Sequence, residues 1–188
     1  MSEDGRTNET GRTNEGGRTN ETGRTNEGGR TSEVEALEAQ EARLVLPRFT
    51  YEDAWALGTL LVGMAREREA PVAIDIRRGP QQLFHCALPG SSADNDAWID
   101  RKRRIVERYG VSSFLVGARF RAKGTTFEAS SRLDPDRYAA HGGSFPVAVE
   151  GVGVIGSVTV SGLPQAEDHA LVVEALERFL GSYGSAAA

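Results

Sequence analysis

Apolar positions recur along this chain in two periods, and the switches between them mark its elements. In "TYEDAWALGTLLVGMARERE" (50–69), Ala54, Leu57, Leu61 and Met64 fall at helical spacing, so one face of a helix is expected to be buried. Thr50 suits the N-cap and Asp53 the positive end of that helix. Trp55 is assigned to the core beside them. "PVAIDIRR" and "QQLFHCAL" are short apolar runs separated by a glycine-proline turn, which predicts a β-hairpin. "SSADNDAWIDRKRRIVERYG" (91–110) opens polar and then places Trp98, Ile99, Ile105 and Val106 before Gly110, a helix with a glycine stop. Asp94 or Asn95 is its expected cap. "SSFLVGARFRA" fits helix or strand; a second helix from Ser112 is the reading taken. "SFPVAVEGVGVIGSVTVSG" (144–162) is valine-rich and punctuated by glycine, which predicts two strands around a turn at residues 150–153. "LPQAEDHALVVEALERFLG" closes the domain as a helix, with Leu171, Val172, Leu176, Phe179 and Leu180 inward and Gly181 as its end.

Ahead of these elements, "RLVLPRF" reads as extended up to Pro47, and "SEVE" from Ser32 has the capping-box pattern of a short helix carrying Val34, Ala36 and Leu37. The order is therefore α, β, α, β, β, α, α, β, β, α. Hairpins rather than strict βαβ alternation predict an α+β domain, an antiparallel sheet with helices packed on it.

Residues 6–29 break both periods. They read RTNETG, RTNEGG, RTNETG, RTNEGG, with almost no apolar content and nearly cancelling charge. Such a segment buries too little apolar surface to offset chain entropy, and nothing apolar recurs to build a stacked repeat. The division that follows is a disordered repeat tail over 1–31 and a folded domain over 32–188.

Composition narrows the function classes. The chain has 188 residues and a net charge of −5, so a nucleic-acid partner is not expected. A single cysteine, Cys86, rules out an internal disulfide and a cysteine-rich metal site. No run of about 18 apolar residues predicts a membrane helix. "MSEDGRTNET" shows neither the basic nor the apolar region of a signal peptide. A cytoplasmic location is the expectation.

Four stretches carry candidate chemistry. In "HGGSFP", Gly142 and Gly143 can take positive φ and expose backbone N–H groups, Ser144 adds a hydroxyl, and His141 can donate, accept or ligate a metal. The alternative is a loop entering a strand, with Pro146 blocking edge pairing. In "DNDAWIDRK", Asp94, Asn95, Trp98, Arg101 and Lys102 fall on related helical faces, and Arg101 can hold a carboxylate or phosphate bidentately. The alternative is a capped, solvated helix with "RKRR" as a wet face and one buried tryptophan. "SGLPQAEDH" offers Ser161, Asp168 and His169, but it lacks the nucleophile elbow, and the adjacent Asp168 and His169 diverge on a helix, so a hydrolase triad is set aside. His85 and Cys86 alternate on a strand and point to opposite faces, which argues against a joint metal site.

Taken in order, "EDAWALG", "LFHCALPG", "DNDAWIDRK", "YAAHGGSFPV" and "GVGVIGSVTVSGLPQAEDH" resemble an uncharacterised-protein family grouped with the GlcG/HbpS-like, so-called haem-degrading domains. The resemblance spans about residues 45–180 and leaves the repeat tail outside. The superfamily pattern G-G-x-P then I-G-x-x-x-V-S-G corresponds here to Gly142, Gly143 and Pro146, with one extra residue, and to Ile155, Gly156, Val160, Ser161 and Gly162. It implies a profilin-like α+β fold, assembly into homo-oligomers, and haem as a candidate ligand. No established iron ligand of the haem-binding relatives maps onto this chain; His141 is the local candidate for a metal. The expectation is a small-molecule-binding homo-oligomer, with haem its specific version and His141, Gly142, Gly143, Ser144, Asp94, Asn95, Trp98, Arg101 and Lys102 its site. An interaction module with no ligand is the alternative, and an enzyme of unknown reaction ranks last.

Overall fold

The computed structural model describes the backbone of residues 21–186 and the side chains of residues 29–183. The elements are α1 (Glu21–Arg43), β1 (Val45–Leu46), α2 (Tyr51–Glu67), β2 (Ala73–Arg78), β3 (Gln81–Ala87), α3 (Ala93–Tyr109), α4 (Ser113–Ala122), α5 (Phe127–Ser130), β4 (Ser144–Val149), β5 (Gly153–Ser161) and α6 (Gln165–Ala186). The strands form one sheet in the order β1-β4-β5-β2-β3. Every pairing is antiparallel except that of β1, which lies parallel to the end of β4. The α+β architecture agrees with the sequence; the parallel edge pair and the one-turn α5 are additions to it.

Alternation along the strands sorts the sheet into two unlike faces. Ile74 and Ile76 of β2 pair with Val160 and Val158 of β5, and Val158 pairs with Phe145 of β4. These residues and Val147 are buried with Leu57, Leu61 and Met64 of α2 and with Leu171, Val172, Leu176 and Phe179 of α6. This is the main core. Between them, β2 and β5 place the polar Asp75 and Thr159, while β4 places Pro146. Ser144 stands opposite Thr159, Thr159 opposite Asp75, and Asp75 opposite His85, a row that crosses four strands. Ser144 and Thr159 share a hydroxyl–hydroxyl bond of 2.8 Å. Asp75, 1% exposed, accepts from Arg77 Nε at 2.9 Å and from Gln82 Nε2. Helix α3 covers this polar face.

Local signals set most boundaries. Thr50 caps α2: its hydroxyl accepts from the Asp53 N–H at 3.2 Å while Asp53 accepts from the Thr50 N–H at 2.7 Å. Ser112 caps α4 by accepting from the Leu115 N–H at 3.1 Å. Gly110 ends α3 in the left-handed conformation, at φ 69°. The expected cap of α3 is displaced to Ser92, because Asn95 serves as the third helical residue and accepts from the Ser92 N–H at 2.7 Å.

Three other expectations differ. Trp55 is 66% exposed rather than in the core. It sits one position off the buried stripe of α2 and lays its ring edgewise on Phe84, 5.8 Å between centroids. Helix α6 does not stop at Gly181, because Tyr183 continues the packing: its ring meets Phe179 at 5.2 Å and its hydroxyl donates to the Arg48 carbonyl at 3.2 Å. Ser32 does not begin a helix but lies inside α1. That helix is held against α4 by Leu37 with Leu115 and Ala118, and by Glu33–Arg121 and Glu38–Arg119 ion pairs of 2.8 and 2.7 Å. Of the repeat tail, residues 1–20 lie outside the described residues, and Glu21–Thr31 form the opening turns of α1.

Candidate functional site

A cavity of about 250 Å³ opens where the first turns of α3, the chain between β5 and α6, and His141 meet. Asp94, Trp98 and Lys102 are spaced four residues apart, so one face of α3 presents all three, with Asn95 beside them. Ser161, Gly162 and Leu163 line the opposite wall, and Gln165 and Asp168 come from the first turn of α6.

The floor is a buried ion pair. Lys102 is 3% exposed and its Nζ donates to Asp168 Oδ2 at 2.8 Å and to the Val160 carbonyl at 3.2 Å. The other oxygen of Asp168 accepts from the Leu163 N–H at 3.0 Å, so the carboxylate also closes the turn into α6. Burial pushes the Lys102 pKa down and the Asp168 pKa up, each opposed by the partner's charge. The reading of "RKRR" as a wet face is therefore corrected at its second residue. Its neighbours Arg103 and Arg104 are only partly buried and pair with Asp100 at 2.7 and 3.7 Å. Of the four basic residues, Lys102 alone is buried.

His141 is half-buried at the mouth. Its ring meets Trp98 edgewise at 5.3 Å, and its Nδ1 has no hydrogen-bond partner, with Glu128 Oε1 3.9 Å away. Burial lowers its pKa. Glu128 opposes that shift, and the cations Lys102, Arg101 and Arg121 add to it. The imidazole is thus held toward its neutral form, the form that ligates metals. Arg101 does not line the cavity; its guanidinium stacks over the Trp98 ring at 3.9 Å.

The glycines of "HGGSFP" answer to the protein's own backbone. A Cβ on Gly142 would collide with the Gln165 carbonyl, and one on Gly143, at φ 121°, with the Val160 carbonyl and, at 2.8 Å, with Lys102 Nζ. Ser144 is buried in the polar row behind them. So His141, Asp94, Asn95, Trp98 and Lys102 share the cavity, whereas Gly142, Gly143 and Ser144 pack the wall behind it. Sequence reasoning passed over Ser161, Gly162, Leu163, Gln165 and Asp168. Their motif holds Ser161, Asp168 and His169, but no triad is assembled from them. Asp168 turns to Lys102, while His169 turns away, with Nε2 2.9 Å from Gln40 Oε1 and its ring 4.7 Å from Phe114. His85 also lies elsewhere, 3.8 Å from Asp75 and 3.5 Å from Asp96. Among the described residues no cluster of three or more His, Cys, Asp or Glu is placed to hold a metal ion, and no helix is long and apolar enough to cross a membrane.

Fold and cavity together define an α+β domain with a single sheet and a small, polar-floored pocket on its polar face. The chain belongs to the HbpS-like family, described as haem degrading protein HbpS-like, which matches residues 49–177. A UPF0303 protein of Streptomyces avermitilis is 77% identical over 147 residues, covering 78% of this chain and 90% of that one. A UPF0303 protein of Zymomonas mobilis is 44% identical over 149 residues, 79% of this chain and 80% of its own. Among solved structures, the Ybr137w protein superposes with a TM-score of 0.74 at 38% identity, covering 80% of this chain and 88% of that chain. HbpS shares the fold at 17% identity, with a TM-score of 0.56 over 71% of this chain and 90% of its own. PduOC, solved as a complex with haem, shares it at 16% identity, with a TM-score of 0.59 over 69% and 93%.

Proposed function

We propose that the protein is a small-molecule-binding, self-associating domain of the cytoplasm, whose ligand enters the cavity between α3 and α6. The observation that carries this reading is the Lys102–Asp168 pair. A buried ion pair adds little net stability to a fold, so its place at the floor of an open polar cavity is better explained by a ligand than by folding. Trp98 lines the cavity and carries the Arg101 guanidinium stacked on its ring just outside it.

Haem is the specific version. The family description and the haem complex of PduOC bring it to this chain. The groups present fit its needs at the mouth: His141 Nδ1 is a buried ring nitrogen without a hydrogen-bond partner, and Arg101, stacked on Trp98, is a cation suited to a carboxylate. Haem would supply an iron that such an imidazole can ligate. The cavity itself, at about 250 Å³, is below the roughly 300–1,000 Å³ of pockets that enclose drug-sized ligands. The floor therefore admits one edge of a large ligand or the whole of a small polar one. The proposal assigns no reaction.

Titration with haemin tests the haem version. The expected result is a Soret shift that saturates and that His141→Ala weakens at least tenfold. A spectrum equal to that of free haemin, or one indifferent to His141→Ala, contradicts it. Size-exclusion chromatography with light scattering tests self-association; a monomeric mass removes that part of the reading.

A further inference from the structure

We propose a second binding site, at the opposite end of the sheet, for a small amphiphile with a carboxylate head. Ala73 pairs with Ser161 at the cavity end of β2, and Arg78 pairs with Gly156 at the far end. There, a groove of about 680 Å³ runs between the Pro47–Thr50 segment and the β4–β5 hairpin. Its volume lies within the range of ligand pockets, and Pro47, Phe49, Val149, Val152 and Ile155 give it apolar walls. Val152 remains exposed on the hairpin, which leaves apolar surface for a ligand to cover.

The groove holds a half-buried cation. Arg78 continues the inward face of Ile74 and Ile76, so its side chain closes the end of the main core. One Nη2–H donates to the Phe49 carbonyl, and the guanidinium lies 5.6 Å from the centre of the Tyr51 ring. Its Nε is buried and unpartnered. Among the described residues no carboxylate forms an ion pair with Arg78. Arg77 beside it pairs with Asp75 at 2.9 Å, and Arg48, which also lines the groove, is 3.6 Å from Asp53. Glu150 stands on the rim, exposed and outside ion-pair distance of Arg78. A guanidinium taken partly out of water calls for an anion with acceptor oxygens, and a carboxylate matches its donor geometry. An uncompensated arginine at one end and apolar walls along the rest select a ligand with an anionic head and a hydrocarbon tail. A cationic or purely polar ligand is disfavoured. Among the described residues no histidine lines this groove.

The test is calorimetric titration of the full-length chain with decanoate, decanol and decyltrimethylammonium, each below its micellar concentration. Decanoate is expected to bind at least tenfold more tightly than the other two. Arg78→Gln should reduce the decanoate-to-decanol ratio to about one. Val152→Glu, at an exposed position that cannot perturb the core, should weaken decanoate at least tenfold by placing an anion over the groove. His141→Ala should leave decanoate binding unchanged, which separates this site from the polar cavity. Equal binding of decanoate and decanol, or a decanoate affinity indifferent to both Arg78→Gln and Val152→Glu, overturns the proposal. So does failure of decanoate to bind where Val152→Glu dissociates an assembly, because the groove is then a contact between copies of this chain.

Discussion

The two faces of the sheet are written by the same six residues of β2 and the same nine of β5, yet they behave as different materials. Toward α2 and α6, Ile74, Ile76, Val158 and Val160 are closed off in a continuous apolar core. Toward α3, the alternate positions carry Asp75, Ser157, Thr159 and Ser161, all buried and all polar. Burial on the first face is directly favourable. Burial on the second is costly unless every group finds a partner, which is why the hydroxyls of Ser144 and Thr159 bond to each other and Asp75 gathers Arg77 and Gln82. The fold thus concentrates its stability on one side of the sheet. On the other it holds a preorganised polar layer, and the cavity opens at the edge of that layer.

That contrast can be broken first at the ion pair. Asp168→Ala should destabilise the protein by about 3–5 kcal/mol, because it strands the Lys102 ammonium in a buried site and removes the acceptor of the Leu163 N–H. Urea denaturation measures this. The double change Lys102→Met with Asp168→Leu should recover most of the loss, since no charge is then left unpaired, while abolishing ligand retention. On the apolar face, Leu61→Ala should cost about 2–5 kcal/mol by the same assay. It should leave ligand affinity unchanged wherever the protein remains folded.

A subtler contrast is set by pH. His169 sits between Phe114 and Phe145, and burial depresses its pKa to about 4. The unfolded chain takes up this proton near pH 6.5, before the folded protein does. Stability should therefore be fully present above pH 6.5 and fall as pH drops toward 4, by on the order of 3 kcal/mol in total, with no further loss from this group below that. Thermal or urea melts across pH 4–7 check the sign, and His169→Phe should flatten that part of the profile. The smallest effect belongs to a helix end remote from the cavity. Thr50→Ala removes one half of a capping box and should cost about 1 kcal/mol without altering ligand binding.

How far the sequence disclosed this arrangement follows the range of the interactions. Thr50, Ser112 and Gly110 act on backbone groups within three or four residues, and each was legible as a boundary. The short apolar run that holds Ile74 and Ile76 was legible as a strand. Lys102 was not legible as buried. Its partner Asp168 lies 66 residues away, and within its own helix it is one of four consecutive basic residues. Only the docking of α3 on the sheet decides which of the four faces inward. The polar row Ser144–Thr159–Asp75–His85 was hidden for the same reason, since strand register joins it from four separate segments. Trp55 shows the converse error. A large aromatic beside a buried stripe invites a core assignment, but a single helical step of rotation places it outside. The glycines of "HGGSFP" were read as exposing N–H groups to a ligand, and what lies against them is the protein's own Gln165 and Val160 carbonyls.

Native mass spectrometry of the intact chain, purified without denaturation, is the most direct test of the claim that the polar face holds a ligand. The account predicts a non-covalent mass retained by the wild-type protein and lost, with the fold intact, in Lys102→Met/Asp168→Leu. A bare polypeptide mass in both proteins, or an adduct that persists unchanged in the double variant, would contradict it.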